Sequence, residues 1–383
     1  MNRKIAILFF TLVVMMIGFG IIIPLLPFYV TDMGGSGISM GILMAVFSLM
    51  QFLFSPFWGD LSDRYGRKTF LMLGIFGNGI SMILMGFATE LWMLFAARAL
   101  AGVLSSATLP TAMAYISDST DENERGGGMG VIGAAMGIGM VLGPGIGGIM
   151  SDISLSAPFF LAAGLSALSL LFIWFLLPES LPEEERLKGA KGFQGPQIST
   201  MWKALFSPLG FLFALAFLLS FGMTNFEGVF GLYSELRFNY DAKTVGMVLT
   251  VIGITSAVVQ GVLTGPSIKR WGDTRVIKAS LIASAVGFLL MLTATNLTTV
   301  MLTTGFFVLS NAMLRPGVAS LISKRAEQGQ GIAMGLNNSF MSLGRIAGPI
   351  WAGTVLDINL NYPYMTGAFI MALGFIAALI FLR

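Results

Sequence analysis

The sequence predicts an all-α membrane protein made of two six-helix bundles, the second a pseudo-repeat of the first. Three observations predict it. The 383-residue chain is 55% hydrophobic and only 11% charged, with a mean hydropathy of +0.83, whereas a soluble domain carries about 25% charged residues. Apolar stretches long enough to cross about 30 Å of hydrocarbon recur along its whole length. Sequence patterns of the first half return in the second at a nearly constant offset.

The apolar stretches predict twelve spans, near residues 5–31, 39–58, 70–88, 91–115, 127–150, 157–177, 208–234, 244–264, 276–294, 298–321, 331–355 and 361–382. The first is too long for a signal-peptide core and no small-residue cleavage site follows it, so it reads as a retained helix. The one long polar segment, from Pro178 to Thr200, separates spans six and seven. It divides the chain into an N-terminal bundle (1–177), a cytoplasmic linker (178–207) and a C-terminal bundle (208–383).

Orientation follows from lysine and arginine. Of the 22, three lie within spans (Arg98, Arg315 and Arg345) and two, Arg237 and Lys243, in loops of one side; the rest fall on the other side or at the chain ends. Both termini are therefore expected in the cytoplasm. The densest charge, GDLSDRYGRK at 59–68, becomes the cytoplasmic loop between spans two and three.

That loop returns as GPSIKRWGDT at 265–274, with Gly59, Arg64 and Gly66 matched by Gly265, Arg270 and Gly272. PTAMAYIS (Pro110–Ser117) matches PGVASLIS (Pro316–Ser323), and LGPGIGGIMSD (Leu142–Asp152) matches AGPIWAGTVLD (Ala347–Asp357). A six-helix unit used twice is a transporter plan, in which two halves rock about a midplane site. The chain has no cysteine and no histidine. Disulfides, a thiolate nucleophile, histidine metal ligands and a histidine proton relay are thereby excluded. With no P-loop pattern and one buried acid lacking a carboxylate partner, an enzyme is not expected.

These residues resemble the major facilitator superfamily. GDLSDRYGRK is similar to its helix 2–3 signature. Arg98 and Gly102 resemble an arginine motif of helix four. GAAMGIGMVLGPGIGG, with Gly133, Gly137, Gly143, Pro144, Gly147 and Gly148, resembles the helix-five motif of drug–proton antiporters. PLLP (Pro24–Pro27) resembles the helix-one pattern of twelve-helix drug exporters. The resemblance covers the whole chain and points to the Bmr- and NorA-type multidrug exporters. It implies a proton-coupled carrier of hydrophobic and amphipathic drugs in the bacterial inner (plasma) membrane. A specific exporter of a sugar, lipid or other metabolite is the alternative. No cofactor beyond the coupling proton and no metal is implied. The partners implied are a small-molecule substrate and the lipid bilayer, without nucleic acid, in a monomer.

In the charged loop, Gly59 and Gly66 permit a tight turn. Asp63 suits the positive end of a helix, and Arg67 is placed to pair with Asp63 and with Asp118. The resemblance implies that this network, with Arg64, latches one state of the transport cycle. Arg64 and Lys68 equally fit a purely topogenic role. In the helix-five run, glycines four apart share one helix face, and Pro144 removes a backbone donor and bends the helix. The resemblance implies that this face seals the bundle against leak.

An ionisable side chain near the midplane is costly unless paired and marks a functional candidate. Among the 19 acids only Glu227 lies well inside a span. It is the candidate proton carrier, the other reading being a static ion pair with Arg98, Arg315 or Arg345. The resemblance assigns Arg98 a part in proton transfer and leads to an acid in helix ten, but FVLSNAMLRPGV holds none; Asn311 or Ala312 stands there. Candidate substrate contacts are Gln51, Tyr115, Asn225, Phe226, Tyr233, Gln260, Asn311, Arg315, Asn337, Asn338 and Arg345. The 26 methionines and 32 phenylalanines suit an adaptable pocket, though most serve packing.

Overall fold

The computed structural model describes residues 3–120, 125–186, 197–326 and 329–382. Among these, Lys188 and Lys191 of the linker are absent, so their expected place beside the membrane lies outside the described residues, as does Arg383. The chain forms α1 (Arg3–Asp32), α2 (Gly37–Tyr65), α3 (Arg67–Gly86), α4 (Leu91–Ser105), α5 (Thr108–Ser119), α6 (Arg125–Met150), α7 (Ala157–Leu176) and α8 (Ile198–Leu205). It continues with α9 (Gly210–Phe238), α10 (Ala242–Val258), α11 (Thr264–Trp271), α12 (Asp273–Met291), α13 (Leu297–Ala312), α14 (Leu314–Arg325), α15 (Gln330–Ile358) and α16 (Tyr362–Phe381). No strand occurs among the described residues.

Among the described residues, eleven stretches are long and apolar enough to cross a membrane. The remaining expected span, 331–355, forms the 29-residue α15. It is long enough, but Asn337, Asn338, Ser339, Ser342 and Arg345 dilute its apolar character.

Three expected spans are jointed. The fourth breaks between α4 and α5, and the tenth between α13 and α14. Pro110 and Pro316 sit in the first turn after each break, where a missing N–H costs no helical bond. The two prolines are repeat-related, so the sequence repeats the joint itself. The eighth span joins α10 to α11 through a π-helical turn, Val259–Leu263, with Gln260 exposed within it.

By contacts the chain forms two compact units. The first holds Met1–Gly34, Val46–Pro196 and Ala242–Thr250; the second holds Gly35–Ala45, Gln197–Asp241 and Val251–Arg383. In the first, α1 packs along α6, and α3 against α7 and α4. Leu8, Leu12, Leu71, Ile75, Tyr115 and Ile173 meet in its core. In the second, α9 packs along α15, and α12 against α16 and α13. Phe226, Phe288 and Phe307 meet there ring to ring, at 5.3 and 4.4 Å from Phe307.

Small residues decide how closely these pairs approach. A Cβ on Gly143 would lie 2.7 Å from the Gly20 Cα of α1. In the second unit a Cβ on Gly348 would lie 2.7 Å from the Phe221 carbonyl oxygen of α9. Neither crossing has room for a side chain, which is the small-residue logic of helix pairs in lipid.

Candidate functional site

The interior charges of the second unit gather where α9 and α15 cross. Gly228 of α9 stands against Pro349 of α15, and Thr224 Oγ1 donates to the Gly344 carbonyl at 3.2 Å. This close crossing brings Glu227, one residue from Gly228, under the influence of the Arg345 charge. Arg345 in turn feels Arg315 of α14. No direct ion pair joins Glu227 to either arginine among the described residues. The carboxylate is therefore biased by a cation without being locked to one.

Arg345 Nη2 donates to Ser342 Oγ one turn earlier, at 2.8 Å. Its Nε is buried and finds no acceptor among the described residues. A buried guanidinium donor without an acceptor is costly, so the group keeps unspent capacity for an anion. Arg315, although inside an apolar span, is exposed. Glu227 is half-buried.

Arg98 belongs to the first unit. It is 1% exposed, and its guanidinium lies over the Phe47 ring, 4.5 Å from the centroid. Such a contact stabilises a desolvated cation. Phe47 was not among the candidates from sequence; a cation over a ring leaves no spacing signal.

The charged stretch forms a second constellation. Arg67 is buried and makes ion pairs with Asp63 Oδ1 and, at 3.0 Å, with Asp118 Oδ2. Its Nη1 also donates to Ser62 Oγ at 2.9 Å. Arg64 instead forks onto Asp60 at 2.9 and 3.0 Å, one turn earlier on the same helix. Asp63 does not occupy a helix N-terminus; Glu179 does. Its two oxygens accept from the Arg67 and Lys68 N–H groups at 2.8 and 3.1 Å, capping the first turn of α3 where carboxylates are favoured. Gly66 explains the geometry. Its φ is +100°, and a Cβ there would lie 2.5 Å from Glu179 Oε2. Gly59, by contrast, lies inside α2 with open space around it, so no turn or close approach requires it. Glu179 escaped notice because it belongs to the linker side of α7, more than a hundred residues from the turn it caps.

The helix-five glycines split between surfaces. Gly139, Gly143 and Gly147 face Met16, Gly20 and Ile21 of α1. Gly145 meets Thr250, and Gly148 meets Ala242 and Lys243 at the start of α10. Gly133 and Gly137 have nothing within 4 Å. One face thus holds α1, a second receives the first turns of α10, and the early glycines remain open.

Several candidate substrate contacts lie in the cores instead. Tyr115 donates to the Pro178 carbonyl at 2.8 Å and is 1% exposed. Phe226 is fully buried between Phe230 and Phe307. Asn225 donates to the Pro363 carbonyl at 3.0 Å. The Tyr233 hydroxyl accepts from Arg237, and its ring meets Tyr364. Asn311 and Asn337 are buried. Gln51 is half-buried and Gln260 and Asn338 are exposed. Polarity within a span marked these residues, but buried polar groups also serve helix-to-helix hydrogen bonding, and sequence does not separate the two uses.

Comparison with known proteins agrees with this architecture. The profile of the Major Facilitator Superfamily matches residues 8–264 and 212–383. The chain is 32% identical over 369 residues to multidrug resistance protein 2 of Bacillus subtilis, spanning 96% of this chain and 92% of that one. It is 30% identical over 384 residues to the quinolone resistance protein NorA of Staphylococcus aureus, spanning 99% and 97%. Among solved structures, the nucleoside transporter NupG superimposes over the full length of both chains with a TM-score of 0.79 at 16% identity, a likeness of fold.

Proposed function

Because the chain belongs to the Major Facilitator Superfamily, we propose that it is a drug-efflux transporter whose substrates are hydrophobic and amphipathic compounds, driven outward by an inward flow of protons. Near-full-length similarity to a multidrug resistance protein and to a quinolone resistance protein supports the substrate class. The observation that supports proton coupling is Glu227: a half-buried carboxyl group inside a span, biased by Arg345 and without an ion-pair partner among the described residues. A proton neutralises it and releases the Arg345 guanidinium for a substrate group; loss of the proton restores the attraction. Alternating access around this site would then couple the two flows. Both termini face the cytoplasm in this reading, which puts the Arg67 constellation on the cytoplasmic side as a latch.

Efflux of fluorescent amphiphiles from proteoliposomes under an imposed pH gradient tests it. The native chain is expected to transport only with the gradient, and Glu227→Gln to bind substrate but lose gradient-driven transport. Full gradient-driven transport by Glu227→Gln would remove the carboxyl from the mechanism.

A further inference from the structure

One unpacked face of α15 is polar, and Arg345 stands at its head. Gly331, Gly335, Asn338, Ser342 and Arg345 follow one another at intervals of four and three residues, the spacing of a single helix face. Gly331, Gly335 and Asn338 are exposed, and Ser342 and Arg345 are half-buried. A Cβ on Gly331 or Gly335 would meet nothing within 4 Å. Hydrogen bonds climb the same face: Ser342 Oγ donates to the Asn338 carbonyl at 2.9 Å, and Arg345 Nη2 donates to Ser342 Oγ at 2.8 Å. A polar face on a membrane-crossing helix lines water, because lipid offers its groups no partners. This stripe is what dilutes the apolar character of α15.

The charge at the head of the stripe is lopsided. Arg345 lies within reach of the Arg315 charge on one side and of the Glu227 charge on the other. The further acids of α9, α14 and α15 are Glu235 and Asp357, each two or more turns beyond, toward the C-terminal ends of α9 and α15. Arg315 has no ion-pair partner among the described residues, and Arg345 Nε has no acceptor among them. Two cations against one carboxyl leave a surplus of positive charge whether or not Glu227 carries a proton.

The crossing of α9 and α15 orders these groups along the stripe. A Cβ on Gly344 would lie 2.5 Å from the Phe217 carbonyl oxygen, whereas Gly228 stands against Pro349. Arg345 is therefore level with the half-buried Phe217, and Glu227 lies about one turn, roughly 6 Å, further along. A guanidinium fork matches the two oxygens of a carboxylate. A lipophilic cation meets the reverse: both arginines repel it, and the one attractive group is neutral once Glu227 is protonated.

We propose that Arg345 is a specificity-determining residue of this site, which takes amphiphiles bearing a carboxylate in preference to lipophilic cations of similar size. Arg315 supplies the second cation, and Phe217 an apolar wall for the body of the substrate. The proposal rests on the reading of the chain as a drug-efflux carrier and names the charge of what it carries.

Dansylglycine and dansylcholine join one fluorophore to a carboxylate and to a quaternary ammonium, respectively. Fluorescence titration of the full chain in phosphatidylcholine nanodiscs is expected to show dansylglycine bound about tenfold more tightly, the worth of a hydrogen-bonded charge pair. Arg345→Gln is expected to weaken dansylglycine by a similar factor and to strengthen dansylcholine. A native chain that binds the two probes equally, or a variant that weakens both alike, overturns the proposal. Arg345→Lys keeps the charge and loses the fork, so it is expected to retain the order of the probes with a smaller preference; a reversed order counts against the assignment even where the glutamine variant fails to fold. Transport separates the proposal from the reading beneath it. In proteoliposomes under a pH gradient, movement of dansylcholine without dansylglycine keeps the carrier and refutes the charge assignment. Movement of neither probe refutes the carrier reading, and the assignment with it.

Discussion

Lys324 Nζ lies 2.6 Å from Asp273 Oδ2, and these two residues occupy the repeat positions of Asp118 and Arg67 with their charges exchanged. Each pair joins the start of a helix that follows a positive-φ glycine to the end of a jointed span. The repeat has kept an ion pair at this place and not the identity of its members. A selected electrostatic contact, and not a leftover of topogenic charge, explains that. Lys324→Asp should lower the thermal midpoint in detergent, and Lys324→Asp with Asp273→Lys should recover most of it. The coupling in a double-mutant cycle should be about 1 kcal/mol, since Lys324 is largely exposed.

Gly66→Ala should destabilise the first unit by about 1–2 kcal/mol from backbone strain alone, because its φ is +100°. The new Cβ also collides with Glu179. Glu179→Ala should recover only the collision, so the double variant remains less stable than Glu179→Ala. Denaturation in mild detergent measures both; equal stability of those two proteins would refute the strain account.

The glycines of α6 should respond by face. Gly143→Val drives a side chain into the Gly20 backbone and should abolish folding or transport. Gly133→Ala and Gly137→Ala meet open space and should leave stability unchanged or raise it by up to about 1 kcal/mol, the helix-propensity gain. Thermal melts of the three variants discriminate this from a motif in which every glycine is equally required.

Arg345→Gln should alter the pH profile of transport more than Arg315→Gln does, because Arg345 acts on Glu227 directly and Arg315 acts on Arg345. Initial rates across external pH check the order. A larger effect at Arg315 would mean that the carboxyl answers to a different cation.

Much of this architecture was legible in the sequence. The spans, the repeat and the pairing of Arg67 with Asp63 and Asp118 follow from hydropathy, glycine–proline punctuation and charges out of place. Glu227 stood out because acids are rare in lipid. Contacts whose partners carry no local signal were illegible: Glu179 capping α3, Phe47 under Arg98, and Asp357 reaching the N–H groups of α2. Each joins residues far apart in the chain through a backbone group or a ring face. The orientation of the polar residues within spans was illegible for the same reason. Asn225 and Tyr115 satisfy backbone carbonyls of their own units, and composition does not say where a donor points.

The most direct measurement counts protons at the carboxyl. Substrate is added to purified protein in weakly buffered detergent solution while a pH-sensitive dye follows release. Exchange of substrate against a proton on Glu227 predicts release from the native chain and none from Glu227→Gln, with substrate binding retained in both. Equal proton release from the two proteins would contradict the account.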